Sequence, residues 1–460
     1  MKKPVNLGYL DFSTLAKRRA ALARELELNV RTAPATYLRL VPVVEKGMRL
    51  SLGGEGDVVE WLLEMRRFDD GALLAEVADR GALTEATVEQ LAIHAARFHD
   101  GAHVVPGCDW PSAVARIARE NTADLKGQAQ IFAEHDLATA IAARERHRKF
   151  GARALARQSN DIRHCHGDMH LRNAFLDQGA PTLFDCIEFD DFYAVIPPLY
   201  DIAFLLMDLI ARGMHRHANR ALNAWAIHRA PDHWRAIMDS LAVLPLYLAL
   251  RAEIRAKTEG RQPGGNTNAE RYLTLASTFL ERRPPRLIAI GGLSGAGKSS
   301  LAKAIAWRVG GGVGAVHLRS DEIRKRLTNV AIADRLPAGA YTKEASDRVY
   351  VELAGLARRA LDAGASVVLD AVFAHERERT AIDAVGEAAS VPFSGLWLEA
   401  PAHILEQRVT GRRDDASDAD ATVLREQLTY DLGNVAWNRI DTGRGQAEVE
   451  REALSRIGSS

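Results

Sequence analysis

The chain has 460 residues, 47% hydrophobic and 26% charged, too many for one ordinary hydrophobic core, so two or three globular domains are expected. Lysine plus arginine (60) equals aspartate plus glutamate (60), which excludes a global basic field of the kind that draws in nucleic acid or an anionic membrane. Three widely spaced cysteines, Cys108, Cys165 and Cys186, with no CxxC pair, argue against a disulfide framework or a zinc site and fit a reducing cytoplasm.

Met1-Lys2-Lys3-Pro4 leads into a mixed polar segment instead of an apolar run, so no secretory signal is expected and the protein is read as cytoplasmic. Residues 1 to about 65 read as a small mixed lobe. Ser13 or Thr14 caps a helix running to about Asn29, and strands follow near Tyr37 to Val44 and Val58 to Met65. Residues 70–258 read as mostly helical, broken by a β-rich insert from Cys165 to Phe189. The apolar stretches Ala203 to Ile210 and Leu241 to Leu250 are interrupted by Asp208 and Pro245 and cannot span about 30 Å of hydrocarbon, so they are core helices.

Glu259 to Asn268 is a run of turn formers and predicts a surface loop. Helical spacing over Ala269 to Arg282 ends at Pro284-Pro285, where we place the boundary between domains 1–283 and 284–460. Beyond it, strands and helices alternate: Leu287 to Ile290, Ser299 to Val309, Ala315 to Leu318, Arg348 to Ala363, Ser366 to Leu369, Ser394 to Leu398. That alternation predicts an α/β parallel sheet covered on both faces.

Gly292-Leu-Ser-Gly-Ala-Gly-Lys-Ser299 matches GxxxxGK[ST] between an apolar strand and a helix start, the setting its chemistry requires. Glycines let successive N–H groups of Gly292, Ser294, Gly295, Ala296, Gly297 and Ser300 approach phosphate oxygens at a helix N-terminus. Lys298 reaches the β and γ phosphates of ATP, and Ser299 offers its hydroxyl to Mg²⁺. Asp321 and Asp370 follow later strands, whose carboxyl ends face the ligand crevice of a parallel sheet. One could hold Mg²⁺ and the other accept a proton from an acceptor hydroxyl; a helix N-cap is the plainer alternative for each. Arg408 and Arg412, four apart with Arg413 alongside, are candidates for closing over the transferred phosphoryl group, unless they form only an exposed salt-bridged helix end.

The P-loop, Ser320-Asp-Glu-Ile-Arg324, Val368-Leu-Asp-Ala-Val-Phe373 and Arg412-Arg-Asp-Asp-Ala-Ser-Asp418 together resemble the small P-loop kinases that include gluconate kinases, polynucleotide kinase and zeta-toxin-type kinases. That resemblance covers about Arg286 to the end. It implies Asp321 as the base, Arg324 as a substrate contact, and Arg408 and Arg412 as lid arginines, which leaves Asp370 as the carboxylate that holds the metal.

Upstream, His166-Gly-Asp-Met-His-Leu-Arg-Asn173 spaces Asp and Asn as in the kinase catalytic loop, and Asp185 follows in Thr182-Leu-Phe-Asp. Such a site needs Asp168 near the acceptor hydroxyl, Asn173 on one Mg²⁺ and Asp185 bridging Mg²⁺ to the phosphates. The motif is similar to the aminoglycoside phosphotransferase superfamily. With the Lys2 to Ser13 segment and Asp201-Ile-Ala-Phe-Leu205, nearly the whole chain resembles proteins that carry such a domain, here with a truncated N-lobe, before a P-loop kinase domain. The resemblance implies Lys3 or Lys2 as the phosphate-holding lysine and Glu25 as its ion-pair partner. It also marks departures: no strands and nucleotide-covering loop precede the lysine, and Ala194 and Pro197 stand where relatives carry Arg and Asp. The first domain is therefore either a second kinase or a degenerate regulator.

The leading expectation is an ATP-dependent kinase acting on a hydroxyl of a small molecule at the P-loop site. Alternatives are a 5′-hydroxyl polynucleotide kinase, which needs a basic groove with stacking aromatics, and an ATP-binding regulatory or scaffold protein. Nucleic acid is not an expected partner.

Overall fold

The computed structural model describes residues 1–6, 11–332, 334–411 and 417–458. The chain divides into two compact units. One comprises Met1–Ala133, Leu155–Gly213 and Leu250–Tyr272; the other comprises Glu134–Ala154, Met214–Ala249 and Leu273–Ser460.

In the first unit, α1 (Leu15–Asn29) starts where the Thr14 hydroxyl accepts the Lys17 N–H at 3.3 Å, as the sequence predicts. Strands β1 (Tyr37–Lys46), β2 (Arg49–Leu52) and β3 (Asp57–Met65) form an antiparallel sheet in the order β2-β1-β3. The sequence reading missed β2. Its signal is Gly47, which at φ +64° begins the two-residue turn that pairs Lys46 with Arg49. Arg18 of α1 reaches Glu60 of β3 at 2.9 Å.

The expected β-rich insert contains the hairpin β4 (Ala174–Asp177) and β5 (Ala180–Leu183), turned at Gln178 and Gly179, both with positive φ. Helix α2 (Pro198–Ala211) is buried over nearly its whole length, including the two acidic residues Asp201 and Asp208. Buried carboxylates need donors, and here those donors come from the candidate catalytic loop.

In the second unit, α3 (His215–His228) precedes the five parallel strands β6 (Leu287–Gly291), β7 (Val316–Arg319), β8 (Val367–Asp370), β9 (Phe393–Glu399) and β10 (Asn438–Asp441). Their order is β10-β9-β6-β8-β7. The chain runs to one side of β6 first and then to the other, so the strand order reverses at β6, the place where open α/β sheets bind ligands. All five β6 residues are buried, as a central parallel strand requires. Ile288, Ile290, Leu301, Ile305, Leu396 and Ile440 belong to one hydrophobic core. The expected helices appear as α4 (Lys298–Ile305) and α6 (Lys343–Asp362), and α5 (Ser320–Leu327) follows β7 directly. The sequence reading named neither the helix Glu376–Ala389 nor β10.

Strand β7 is an edge, and α3 covers it. Asn219 Nδ2 donates to Val313 O and Ala315 O, both at 2.9 Å, and Asn223 Oδ1 accepts the His317 N–H at 2.7 Å. The unit built around the P-loop therefore takes in Met214–Ala249, upstream of the expected boundary at Pro284-Pro285. Helix Asn266–Phe279 likewise starts inside the loop expected over 259–268, because turn-forming Asn and Thr can also open a helix. Among the described residues, no helix is long and apolar enough to cross a membrane.

Candidate active sites

The P-loop joins β6 to α4 through three glycines with positive φ: Gly292 (+142°), Gly295 (+83°) and Gly297 (+89°). A Cβ at Gly292 would lie 2.5 Å from Leu398 O, and one at Gly295 2.6 Å from Leu405 O, so both backbone conformation and close packing demand glycine there. At Gly297, by contrast, a Cβ would meet nothing within 4 Å. Lys298 opens α4 and its Nζ donates to Leu293 O at 3.1 Å.

Residues 294–301 line a cleft of about 1180 Å³, which Asp321, Asp370, Arg324 and Arg408 also line. Asp370 ends β8 and is 4% exposed. Its Oδ2 lies 3.5 Å from His317 Nε2 and 3.5 Å from Arg319 Nε, long contacts that leave this oxygen buried with no conventional hydrogen bond among the described residues. Burial alone would raise the carboxyl; His317 and Arg319 overcome it and hold Asp370 well below the usual carboxylate range. A buried, ionised, under-coordinated oxygen in the cleft that Ser299 also lines fits a divalent cation.

Asp321 is the second residue of α5, whose N-cap is Arg319, so the capping alternative fails for it. Burial, reinforced by Asp370, raises the Asp321 carboxyl above its ordinary value against the pull of Arg319 and Lys298. Two neighbouring carboxyls pushed in opposite directions are what a metal ligand and a proton acceptor require.

Arg324 donates to Ala340 O at 2.8 Å and Ser346 Oγ at 3.2 Å. Arg408 lines the cleft and is engaged by main-chain and hydroxyl oxygens. On the helix Ala402–Thr410 it donates to Thr442 O at 2.7 Å, Thr442 Oγ1 at 3.3 Å and Gly295 O at 3.4 Å, so it ties the P-loop to the residue that follows β10. Arg412 and Arg413 lie outside the described residues. Sequence reasoning also missed Gln427, whose Oε1 accepts the Ser294 N–H at 2.8 Å. No local motif marks a glutamine that acts across 133 residues.

In the first unit, Asn173 Nδ2 donates to Asp168 Oδ2 at 2.9 Å and to Asp168 O at 3.0 Å, while His170 Nε2 lies 3.3 Å from the same carboxylate. Against desolvation, His170 and His166 hold the Asp168 carboxyl well below its usual range. Asp185, at φ +63°, receives the Tyr37 hydroxyl as acceptor for its own N–H at 3.3 Å. Desolvation and the charges of Glu25, Glu188 and Asp168 raise its carboxyl, an acidic surrounding that suits a bound cation.

Of the two candidate lysines, Lys2 is the one paired with Glu25: its Nζ lies 2.7 Å from Glu25 Oε2 and 2.7 Å from Glu188 Oε1, whereas Lys3 is exposed. In an extended segment neighbouring side chains point to opposite sides, so only one of the two lysines can face Glu25. The loop is supported with Ala194 and Pro197 at the positions where the resemblance leads us to expect Arg and Asp. Asp201 accepts the N–H of His166 and of Gly167, each at 2.9 Å, and lies 3.1 Å from His99 Nε2; Asp208 accepts the Leu171 N–H at 3.0 Å.

The model of the phosphotransferase enzyme family matches residues 15–255, and a model described as an AAA domain matches residues 287–430. Uncharacterized proteins of Mycobacterium tuberculosis and Mycobacterium bovis are 29% identical over 96% of this chain and 88% of their own length. Among solved structures, a sugar kinase from Janibacter covers 38% of this chain and 96% of its own at 21% identity and a TM-score of 0.31. A gluconokinase from Sinorhizobium meliloti covers 38% and 94% at 24% identity and a TM-score of 0.28.

Proposed function

This chain belongs to the phosphotransferase enzyme family, and from that premise we propose that it is an ATP-dependent kinase whose P-loop unit transfers the γ-phosphoryl group to a hydroxyl of a small molecule. One observation carries the reading: Asp321, with a raised carboxyl, and Asp370, with a lowered one, line the same cleft as Lys298.

The Asp321 carboxylate takes the proton of the acceptor hydroxyl as the acceptor oxygen bonds to the γ-phosphorus; the bond from that phosphorus to the β–γ bridging oxygen breaks, and ADP leaves with that oxygen. Lys298 and the P-loop amides orient the polyphosphate and stabilise its charge. Ser299 and Asp370 would hold Mg²⁺, which when bound neutralises charge on the β and γ oxygens. The Arg408 bonds to Gly295 and Thr442 keep the loop in shape for this task.

A strongly anionic polymer fits this cleft poorly, because Arg377 is paired with Asp347 at 3.2 Å and Arg335 with Asp420 at 3.3 Å. That favours a small acceptor over a polynucleotide. In the first unit, the Lys2–Glu25 pair together with Asp168, Asn173 and Asp185 supports a second nucleotide site, with a regulator as the alternative. The free thiols Cys108, Cys165 and Cys186 support a reducing, cytoplasmic setting. Labelled ATP, a metabolite extract and the variants Lys298→Ala and Asp168→Ala test the assignment: a labelled product lost only in Lys298→Ala supports it.

A further inference from the structure

Ser417 to Asp420 grips the wall opposite the P-loop. The Asp418 carboxylate takes three donors from it: the Leu336 N–H at 2.8 Å, the Tyr341 hydroxyl at 3.0 Å and the Lys325 ammonium at 3.0 Å. Lys325 is 1% exposed, and its Nζ also donates to Ile332 O at 2.9 Å. A buried ammonium stripped of its carboxylate partner is strongly destabilising, so this contact is held in one geometry.

Two neighbours extend the grip. Asp420 pairs with Arg335 at 3.3 Å and caps the helix Ala421–Gln427, which carries Gln427 to the P-loop. Ser417 hydrogen-bonds the Asp321 carboxylate. On the far side, Tyr341 lies 5.2 Å from the Arg324 guanidinium, which itself binds Ala340 O and Ser346 Oγ. Residues 334–341, Arg324 and Asp321 are thus tied to one another through a single carboxylate and its immediate neighbours.

We propose that Asp418 is a positioning residue that fastens the 334–341 flap beside Asp321 and so builds the acceptor subsite of the P-loop unit. This deepens the kinase reading and rests on Asp321 being the base. Asp418 touches no phosphate in that scheme; it acts through Tyr341, Leu336 and Lys325.

Two measurements on the full chain test it, using the parent, Asp418→Asn, Asp418→Glu and, as a milder change that keeps the buried pair, Tyr341→Phe. In hydrogen exchange, flap amides should exchange at least ~10-fold faster in Asp418→Asn, less so in Tyr341→Phe, with partial recovery in Asp418→Glu and no change over 292–299. In transfer from labelled ATP to a metabolite extract, product per unit time should fall by roughly 10-fold or more in Asp418→Asn, while Mg-ATP affinity stays within about 2-fold. An unchanged flap, or faster exchange spread evenly over the unit, overturns the proposal. A parent that binds Mg-ATP but labels nothing overturns the kinase reading instead, and the exchange result still decides whether the clasp exists.

Discussion

Gln427 places its side-chain oxygen 2.8 Å from the main-chain nitrogen of Ser294, so a helix far along the chain holds an amide of the phosphate-binding loop. Ser294 is otherwise one of several N–H groups at a turn that three positive-φ glycines force into shape. Removing the acceptor in Gln427→Ala leaves a buried N–H unsatisfied and loosens the loop. At about 1 kcal/mol for such a bond, Mg-ATP affinity should fall roughly fivefold, measurable by calorimetry. Unaltered affinity would show that the loop keeps its form without α-helical support.

Asp321→Asn separates binding from chemistry. Mg-ATP binding should persist, because the phosphates meet the P-loop amides and Lys298, while transfer falls by about 10²–10⁴-fold with loss of the proton acceptor. Stability should move the other way. Burial raises the Asp321 carboxyl in the folded state, so its stabilising contribution is present at acid pH and is lost as pH rises through the folded value. At neutral pH the charged form is a burden, and the neutral amide should raise Tm. A drop in Tm at pH 7 contradicts the assigned environment.

Asp370 carries the opposite sign. Its carboxyl is lowered on folding, so it stabilises the protein above the ordinary Asp value and loses that contribution as pH falls through the folded value. Asp370→Asn should therefore destabilise at neutral pH, leaving Arg319 and His317 facing a neutral group, and should raise the Mg²⁺ concentration needed for half-maximal transfer. A Mg²⁺ titration identical to the parent would remove Asp370 from the metal site.

Much of this was legible in the sequence. Thr14 capping α1, the strand-loop-helix setting of the P-loop, and the Asp168–Asn173 spacing are local patterns, and each appears where its residues predict. What escaped was long-range. Whether Lys2 or Lys3 meets Glu25 depends on which way an extended segment faces, and Arg408 braces Gly295 and Thr442 because the loop after β10 passes beneath it. Spacing on a helix shows which residues share a face, not what that face meets.

The covering of β7 is the largest such gap. Nothing near Asn219 or Asn223 announces that they satisfy main-chain groups 94 and 96 residues away. Asn219→Ala leaves the buried Val313 carbonyl unpaired and the Ala315 carbonyl with only its 3.3 Å bond from Asn223, and should cost about 1–3 kcal/mol in a denaturant titration of the full chain. A fragment beginning at residue 284 lacks this helix and should expose the strand edge and aggregate.

Whether phosphoryl transfer occurs at the P-loop unit is decided by comparing three proteins side by side. Parent, Lys298→Ala and Asp168→Ala proteins are incubated with γ-labelled ATP, Mg²⁺ and a metabolite extract, and labelled small molecules are counted. The parent and Asp168→Ala should make a product that Lys298→Ala does not. A product that survives Lys298→Ala and disappears with Asp168→Ala contradicts transfer at the P-loop unit and moves the chemistry to the first unit.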